Sequence, residues 1–196
     1  MIDKVLVLTP DPRLCAPFVR SGKVEIGYLP RRATVADYVA MTRSIVRPAL
    51  DDLVIMINGD IVVLDEGVEL ATTALRRDEC WALARWERVA GGPWRASRRN
   101  DSQDSWWFRW PFREHVRNLE CLRLGVQGVD NRLAFELQRG GYRVTNPVLS
   151  VVTHHLHRSR FRTYQQGVGE KVGPPYLRLP PVGIDGIVRG SRYLVV

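Results

Sequence analysis

Residues 128–157, GVDNRLAFELQRGGYRVTNPVLSVVTHHLH, are the stretch on which the reading of this chain turns. Leu133 and the run Phe135-Glu136-Leu137 give helical spacing over 131–139. Gly140-Gly141 ends that helix with a turn. Residues 142–144 and 148–152 then read as strands separated by Asn146-Pro147, and the chain arrives at His154, His155 and His157. An acid at a helix mouth and a histidine cluster, returned together to one sheet edge, are the makeup of a metal-assisted transfer site.

Working outward from there, strand and helix signals alternate. Residues 5–9 form a β-branched run stopped by Pro10-Asp11-Pro12, and 24–29 is a second strand candidate. Thr34 is a candidate helix cap with Asp37 at the third helical position, followed by Val35, Val39, Thr42 and Val46. The unbroken apolar run 53–57 suits a strand covered on both faces, and it stops at Asn58-Gly59-Asp60. Residues 68–77 read as helix, 81–86 as strand, 91–104 as a long polar loop and 105–109 as an aromatic strand. This alternation predicts an α/β domain with a mostly parallel central sheet flanked by helices. Ligands of such sheets sit at the carboxyl ends of strands. The domain is expected over 1–166, with a Pro- and Gly-rich extension, 167–196, packing on it.

Composition bounds the function. The 196 residues suit one domain, and 45% hydrophobic against 26% charged residues is ordinary for a chain with a core. No stretch approaches the ~20 apolar residues of a membrane span, and the first residues lack a signal peptide's pattern, so a cytoplasmic setting is expected. Cys15, Cys80 and Cys121 match no zinc spacing and read as structural thiols. The net charge of +8 attracts polyanions and anionic surfaces, although the arginines are scattered and form no single basic block. No nucleic-acid motif stands out, so no nucleic-acid partner is expected. Peripheral contact with a membrane surface and the oligomeric state stay open.

Several residues can carry chemistry. Asp60, after the most apolar strand, offers a hard oxygen to Mg²⁺ or Mn²⁺, ions that bridge to substrate phosphates; as a plain alternative, Asn58-Gly59 is a turn and Asp60 is solvated. Asp130 is a helix N-cap, a general base, or both. Three of the chain's four histidines fall within 154–157, and in a strand His155 and His157 face one way and His154 the other. One of them can meet Asp60 as a metal ligand. Asp101 and Asp104 beside Trp106 and Trp107 suggest a sugar grip, in which rings stack on apolar faces and carboxylates bind hydroxyls; adjacent strand residues face opposite ways, so the two rings cannot share a face.

Taken in order, these motifs resemble the nucleotide-diphospho-sugar glycosyltransferases of the GT-A fold, in a small bacterial and viral branch. The residues that carry the resemblance are Asn58-Gly59-Asp60-Ile61, Ser102-Gln103-Asp104-Ser105-Trp106, Gly128-Val129-Asp130-Asn131-Arg132, the run 141–147 and His154-His155-Leu156-His157. The resemblance implies a single GT-A-like, Rossmann-like domain and a glycosyltransferase activity with Mn²⁺ or Mg²⁺ and a nucleotide-diphosphate sugar as donor. It implies that Asp60 is a ligand of the metal on the donor diphosphate and that His154 or His155 completes the metal shell. Asp130 becomes the catalytic base, with Asp104 as a second candidate catalytic carboxylate. The loop at Thr9, Pro10 and Asp11 is implied to hold the nucleotide, together with Asn58, which stands where the family has the first acid of its Asp-x-Asp motif. Val129 stands where the family often has Glu. From their place beside the histidines, Arg158, Arg160 or Arg162 are candidates to grip phosphate. Trp106, Trp107 and Asp101 are expected at the acceptor or sugar. Two other functions stay in view: a sugar-nucleotide nucleotidyltransferase, and a non-catalytic domain that binds a polyanion or glycan.

Overall fold

A computed structural model describes residues 2–88, 92–156 and 170–186. His157, Arg158, Arg160 and Arg162 lie outside these residues. The strands are β1 (Val5–Thr9), β2 (Val24–Tyr28), β3 (Leu53–Ile57), β4 (Ile61–Val63), β5 (Glu79–Leu83), β6 (Trp86–Arg88), β7 (Trp94–Ala96), β8 (Ser105–Arg109), β9 (Arg143–Thr145) and β10 (Thr153–His155). The helices are α1 (Ala16–Val19), α2 (Val35–Met41), α3 (Asp65–Ala74) and α4 (Val129–Arg139).

The strands form three sheets: β1-β2, β4-β10-β6-β7 and β3-β8-β5-β9. The first is parallel, but β8 runs antiparallel to both β3 and β5, β4 to β10, and β7 to β6. The expected GT-A-like, Rossmann-like domain with a mostly parallel, helix-flanked central sheet is therefore corrected: the sheets are small and mixed, with only three helices of seven residues or more among the described residues. The reason lies between Glu79 and Arg109, where four strands follow one another with no helix between them among the described residues. A parallel neighbour needs a long crossover, whereas short connections favour antiparallel pairing. Two of these strands were not expected: β7 lies inside the predicted loop 91–104, and residues 81–86 hold the end of β5 and the start of β6. The predicted strand 148–152 is a turn, and the strand that follows, β10, carries the histidines themselves.

The pleat of β8 sorts the aromatic residues. Trp106 and Phe108 enter a core with Cys80, Ala82, Leu133 and Leu137, and Trp107 enters a second core with Trp81, Leu83, Ala71 and Leu75. Trp81, Trp106 and Trp107 are all fully buried. The indole N–H groups of Trp81 and Trp106 have no hydrogen-bond partner among the described residues, whereas that of Trp107 donates to Ser105 Oγ at 2.9 Å.

Local signals hold where the chemistry is local. Thr34 Oγ1 accepts the Asp37 N–H and Asp37 Oδ2 accepts the Thr34 N–H, which closes the capping box expected at α2. Arg31 grips the same carboxylate, and that hydrogen-bonded pairing, ahead of the Thr34 donors, pulls the Asp37 carboxyl down to about 2. The carboxyl end of α3 is capped from another strand: Arg109 donates to the carbonyls of Ala71, Thr72 and Leu75, and to that of Asp51. A helix leaves its last carbonyls unpaired, and a cation there also meets the negative end of the helix dipole. Arg109→Ala is expected to cost about 2 kcal/mol, since charged hydrogen bonds contribute about that much each while water recovers part. Thermal denaturation should then show a midpoint lower by about 4–8 °C. An unchanged midpoint would show that water replaces the guanidinium without loss.

The described part of the C-terminal extension, 170–186, packs on the rest of the domain. Leu177 and Leu179 are fully buried, the Leu177 N–H donates to Asn131 O at 2.9 Å, and Arg132 donates to Pro174 O at 2.9 Å. Among the described residues no helix is long and apolar enough to cross a membrane.

Candidate functional site

The site forms where three strands end in register. Ile57 of β3 pairs with Ser105 of β8, and Ser105 pairs with Leu83 of β5. Because β8 runs the opposite way, its entry lies at the same edge as the exits of β3 and β5. Asn58, Asp104 and Arg85 therefore meet there. Asn58 Nδ2 donates to Asp104 Oδ1 at 3.1 Å, and Arg85 Nη1 donates to both oxygens of Asp104 at 3.1 Å each. The backbone repeats the tie, since the Asn58 N–H donates to Asp104 O at 3.0 Å. Arg85 Nε donates to Glu87 Oε1 at 2.7 Å. Burial pushes the Asp104 carboxyl up from its ordinary value, against the pull of Arg85 and Asn58.

Asp60 lies in the turn between β3 and β4, and β4 pairs with β10 so that Ile61 stands opposite His155. This pairing brings His155 Nε2 to 3.0 Å from Asp60 Oδ2, and the Leu156 N–H donates to Asp60 O at 2.9 Å. His154, pointing the other way on the strand, stacks on Trp94 with ring centroids 3.8 Å apart and planes 7° apart. Of the two histidines left open as partners of Asp60, His155 takes that place and His154 does not.

Asp130 is not the helix cap. Gly128 holds that place in a left-handed conformation (φ 85°), and a Cβ there would come within 2.7 Å of Val172 O. Glycine alone meets both conditions. Asp130 falls in the first turn of α4 and keeps part of its surface open. Its carboxyl is pushed up to about 8, first by burial of the group and then by the neighbouring Asp104 carboxylate; the Gln103 backbone N–H opposes the shift. Asn131 beside it donates to Asp101 O at 3.3 Å.

The expected nucleotide loop borders a cleft of about 430 Å³ lined by Leu8, Pro10, Pro30, Arg31, Tyr38 and Leu124, among others. Thr9 and Asp11 fold the loop on itself: the Asp11 N–H donates to Thr9 Oγ1 at 3.1 Å, and Arg13 pairs with the Asp11 carboxylate at 2.8 Å. That pairing lowers the Asp11 carboxyl from its ordinary value. Pro10 faces the cleft. The Leu124 N–H donates to Ala33 O at 3.2 Å and ties two walls of the cleft together; none of Asn58, Asp60, Arg85, Asp104, Asp130 and His155 lines it.

The expected sugar contacts fare unevenly. Trp106 and Trp107 are 1% and 0% exposed and offer no face to a sugar. Their surroundings are the two cores, because a strand buried on both sides uses aromatics as filling. Asp101 is at the surface, paired with Arg99 at 2.9 Å, which lowers its carboxyl. Two half-buried rings lie beside the histidines: Trp94, which falls in the expected loop 91–104, and Trp86, paired with His154 in the sheet. Arg85 was also missed. Its signal was the break of the apolar run at Ala84-Arg85, at the carboxyl end of a strand, the same mark that singled out Asn58.

Asp60 and His155 suit two neighbouring ligands of one Mg²⁺ or Mn²⁺ ion. At 3.0 Å the two are hydrogen-bonded to each other, so an ion entering between them would replace that bond. Among the described residues no group of three His, Cys, Asp or Glu converges on a metal position. Mg²⁺ is commonly held by one or two carboxylates with substrate phosphates and water, so Asp60 would be the stronger of the two ligands and His155 the weaker.

Comparison with protein-family models, with curated proteins and with solved structures finds no match for this chain.

Proposed function

We propose that this chain is a metal-dependent glycosyltransferase that moves a sugar from a nucleotide-diphosphate sugar to a hydroxyl acceptor. The observation that supports the reading is Asp104, whose charge acts on both candidate groups: it raises the Asp130 carboxyl, which burial pushes up to about 8, and it feels His155, the hydrogen-bond partner of Asp60. A general base works best when its pKa lies near the working pH. Asn58, Asp60, Asp104, Asp130 and His155, on which the reading rests, all stand in the motifs that resemble nucleotide-sugar transferases.

In this reading Pro10, Tyr38 and the cleft walls receive the nucleotide, and Asp60 and His155 hold the metal. Held there, such an ion would supply neutralisation of the charge on the leaving nucleoside diphosphate. Asp130, when ionised, accepts the proton of the acceptor hydroxyl as that oxygen attacks the anomeric carbon and the bond to the diphosphate breaks. The three free cysteines belong with a reducing, cytoplasmic setting, which is part of the same proposal.

Incubating the protein with Mn²⁺ and a panel of uridine, guanosine, adenosine and thymidine diphosphate sugars tests the proposal. Release of nucleoside diphosphate is expected with one of them. Release of pyrophosphate from a nucleoside triphosphate and a sugar phosphate would mark a nucleotidyltransferase instead. Binding of an anionic glycan or nucleic acid with steep salt dependence, and no turnover, would mark a binding domain.

A further inference from the structure

We propose that Arg85 and Asp104 form a clamp that positions the Asn58-Gly59-Asp60 turn, so that Asp104 is a positioning residue and not a second catalytic carboxylate. What the clamp positions, a metal-binding Asp60, rests on the transferase reading above.

The turn has little packing of its own. A Cβ on Gly59 would meet nothing within 4 Å, and the Asp60 side chain is 41% exposed. The turn is anchored at both ends: the Leu156 N–H and His155 hold Asp60, and Asp104 holds Asn58 twice, its backbone carbonyl accepting the Asn58 N–H at 3.0 Å and Oδ1 accepting from Asn58 Nδ2 at 3.1 Å. Asp104 is fixed in turn. Its own N–H donates to Leu83 O at 2.8 Å, and Arg85 grips both carboxylate oxygens. Glu87 fixes the guanidinium from the other side through Nε at 2.7 Å.

The chain of contacts therefore runs from Glu87 through Arg85 and Asp104 to Asn58, and it crosses the three strand ends aligned by Ile57, Ser105 and Leu83. Asp104 is 7% exposed and both its oxygens are engaged, Oδ1 by Asn58 and Arg85 and Oδ2 by Arg85. A carboxylate whose oxygens are already taken by a guanidinium and an amide is placed to hold its neighbours. Supports of this kind around metal ligands typically contribute about ten- to hundredfold to metal affinity or activity.

The test uses the full chain with Arg85→Gln, Asp104→Asn, Asp104→Ala and the Arg85→Gln/Asp104→Ala pair. Calorimetric titration with Mn²⁺ and uridine or guanosine diphosphate should show the Kd raised about ten- to hundredfold in Arg85→Gln and Asp104→Ala. The double variant should be no weaker than the worse single variant by more than about threefold, because the two residues act as one unit. Asp104→Asn keeps an acceptor for Asn58 Nδ2 and should retain kcat within about tenfold, with the loss falling on KM. NMR of the Asn58 side-chain amide, recorded without substrate, should show its protons shifted and exchanging faster in Asp104→Ala. An Asp104→Asn variant that loses turnover a thousandfold with Kd unchanged would make Asp104 a catalytic group and overturn the proposal. Asn58 amide signals left unmoved by Asp104→Ala would also overturn it. The NMR result stands even if the unaltered chain turns over no donor, which separates failure of the clamp from failure of the transferase reading.

Discussion

Asp130→Asn is expected to remove sugar transfer by a thousandfold or more while donor affinity changes by less than about threefold. Asparagine keeps the shape and the Gln103 N–H contact but cannot take a proton at any working pH. The unaltered protein should show kcat/KM rising with pH and levelling above about 8, because the free protein must lose the Asp130 proton to act.

Stability should move the other way. The folded carboxyl holds its proton up to about 8, whereas an unfolded aspartate releases it near 4. Between those values the folded state binds more protons than the unfolded one, so this group's contribution to stability falls as pH rises through that window and is lowest above 8. Asp130→Asn should therefore match the unaltered chain near pH 4 and exceed it by about 1–3 kcal/mol at pH 8.5, read from urea unfolding at the two pH values. The full shift would give about 5 kcal/mol, but the residue is partly open to water, which recovers part of that cost. A more stable, inactive variant is the signature of a residue kept for chemistry at a cost in folding. Equal turnover in Asp130→Asn would remove it from the mechanism.

Asp60→Ala is the second large effect. Its carboxylate is one of two protein ligands in the proposed site, so Mn²⁺-dependent binding of a nucleoside diphosphate should weaken by more than a hundredfold, and turnover should fall with it. Chelation of metal should silence the unaltered protein and change nothing further in Asp60→Ala. His155→Ala should show the same pattern. The fold should barely notice the loss of Asp60, since its side chain is 41% exposed and exposed ion pairs contribute about 0–1 kcal/mol. A thermal midpoint within about 3 °C of the unaltered value would confirm that binding and folding have been separated. Metal-dependent binding that survives Asp60→Ala would move the metal elsewhere, and the transferase reading would lose its centre.

Several residues of the site are legible from local pattern alone. Asn58 and Asp60 stand out because an unbroken apolar run stops at them, and Asp130 because it opens a helix. Asp104 stands out less, because a carboxylate beside aromatics looks the same at a sugar site and at the end of a core strand. That ambiguity is also why Trp106 and Trp107 read as sugar contacts: the composition of a buried face and of a stacking platform is alike, and only burial separates them. Arg85 was hidden because the strand it follows reads as three residues longer at that end, 81–86 against Glu79–Leu83, which places it inside the sheet. His154 and His155 differ by one position, and the pleat of β10 against β4 decides which of them faces Asp60.

The amino-acid sequence by itself determined the features that depend on a few neighbouring residues. These are the capping box at Thr34, the strands β1, β3 and β8 at their observed places, the helix over 129–139 to within two residues, and the acids at element ends. Strand direction and partnership were decided only by the tertiary structure. An apolar run such as 53–57 carries the same signal whichever way its neighbour runs, because burial is indifferent to the order of N–H and C=O along the partner. Register across β3, β8 and β5 then made a single site of residues nearly fifty positions apart. The pKa of Asp130 belongs to that assembly too, since burial and the Asp104 charge act on it only once the fold has brought them there.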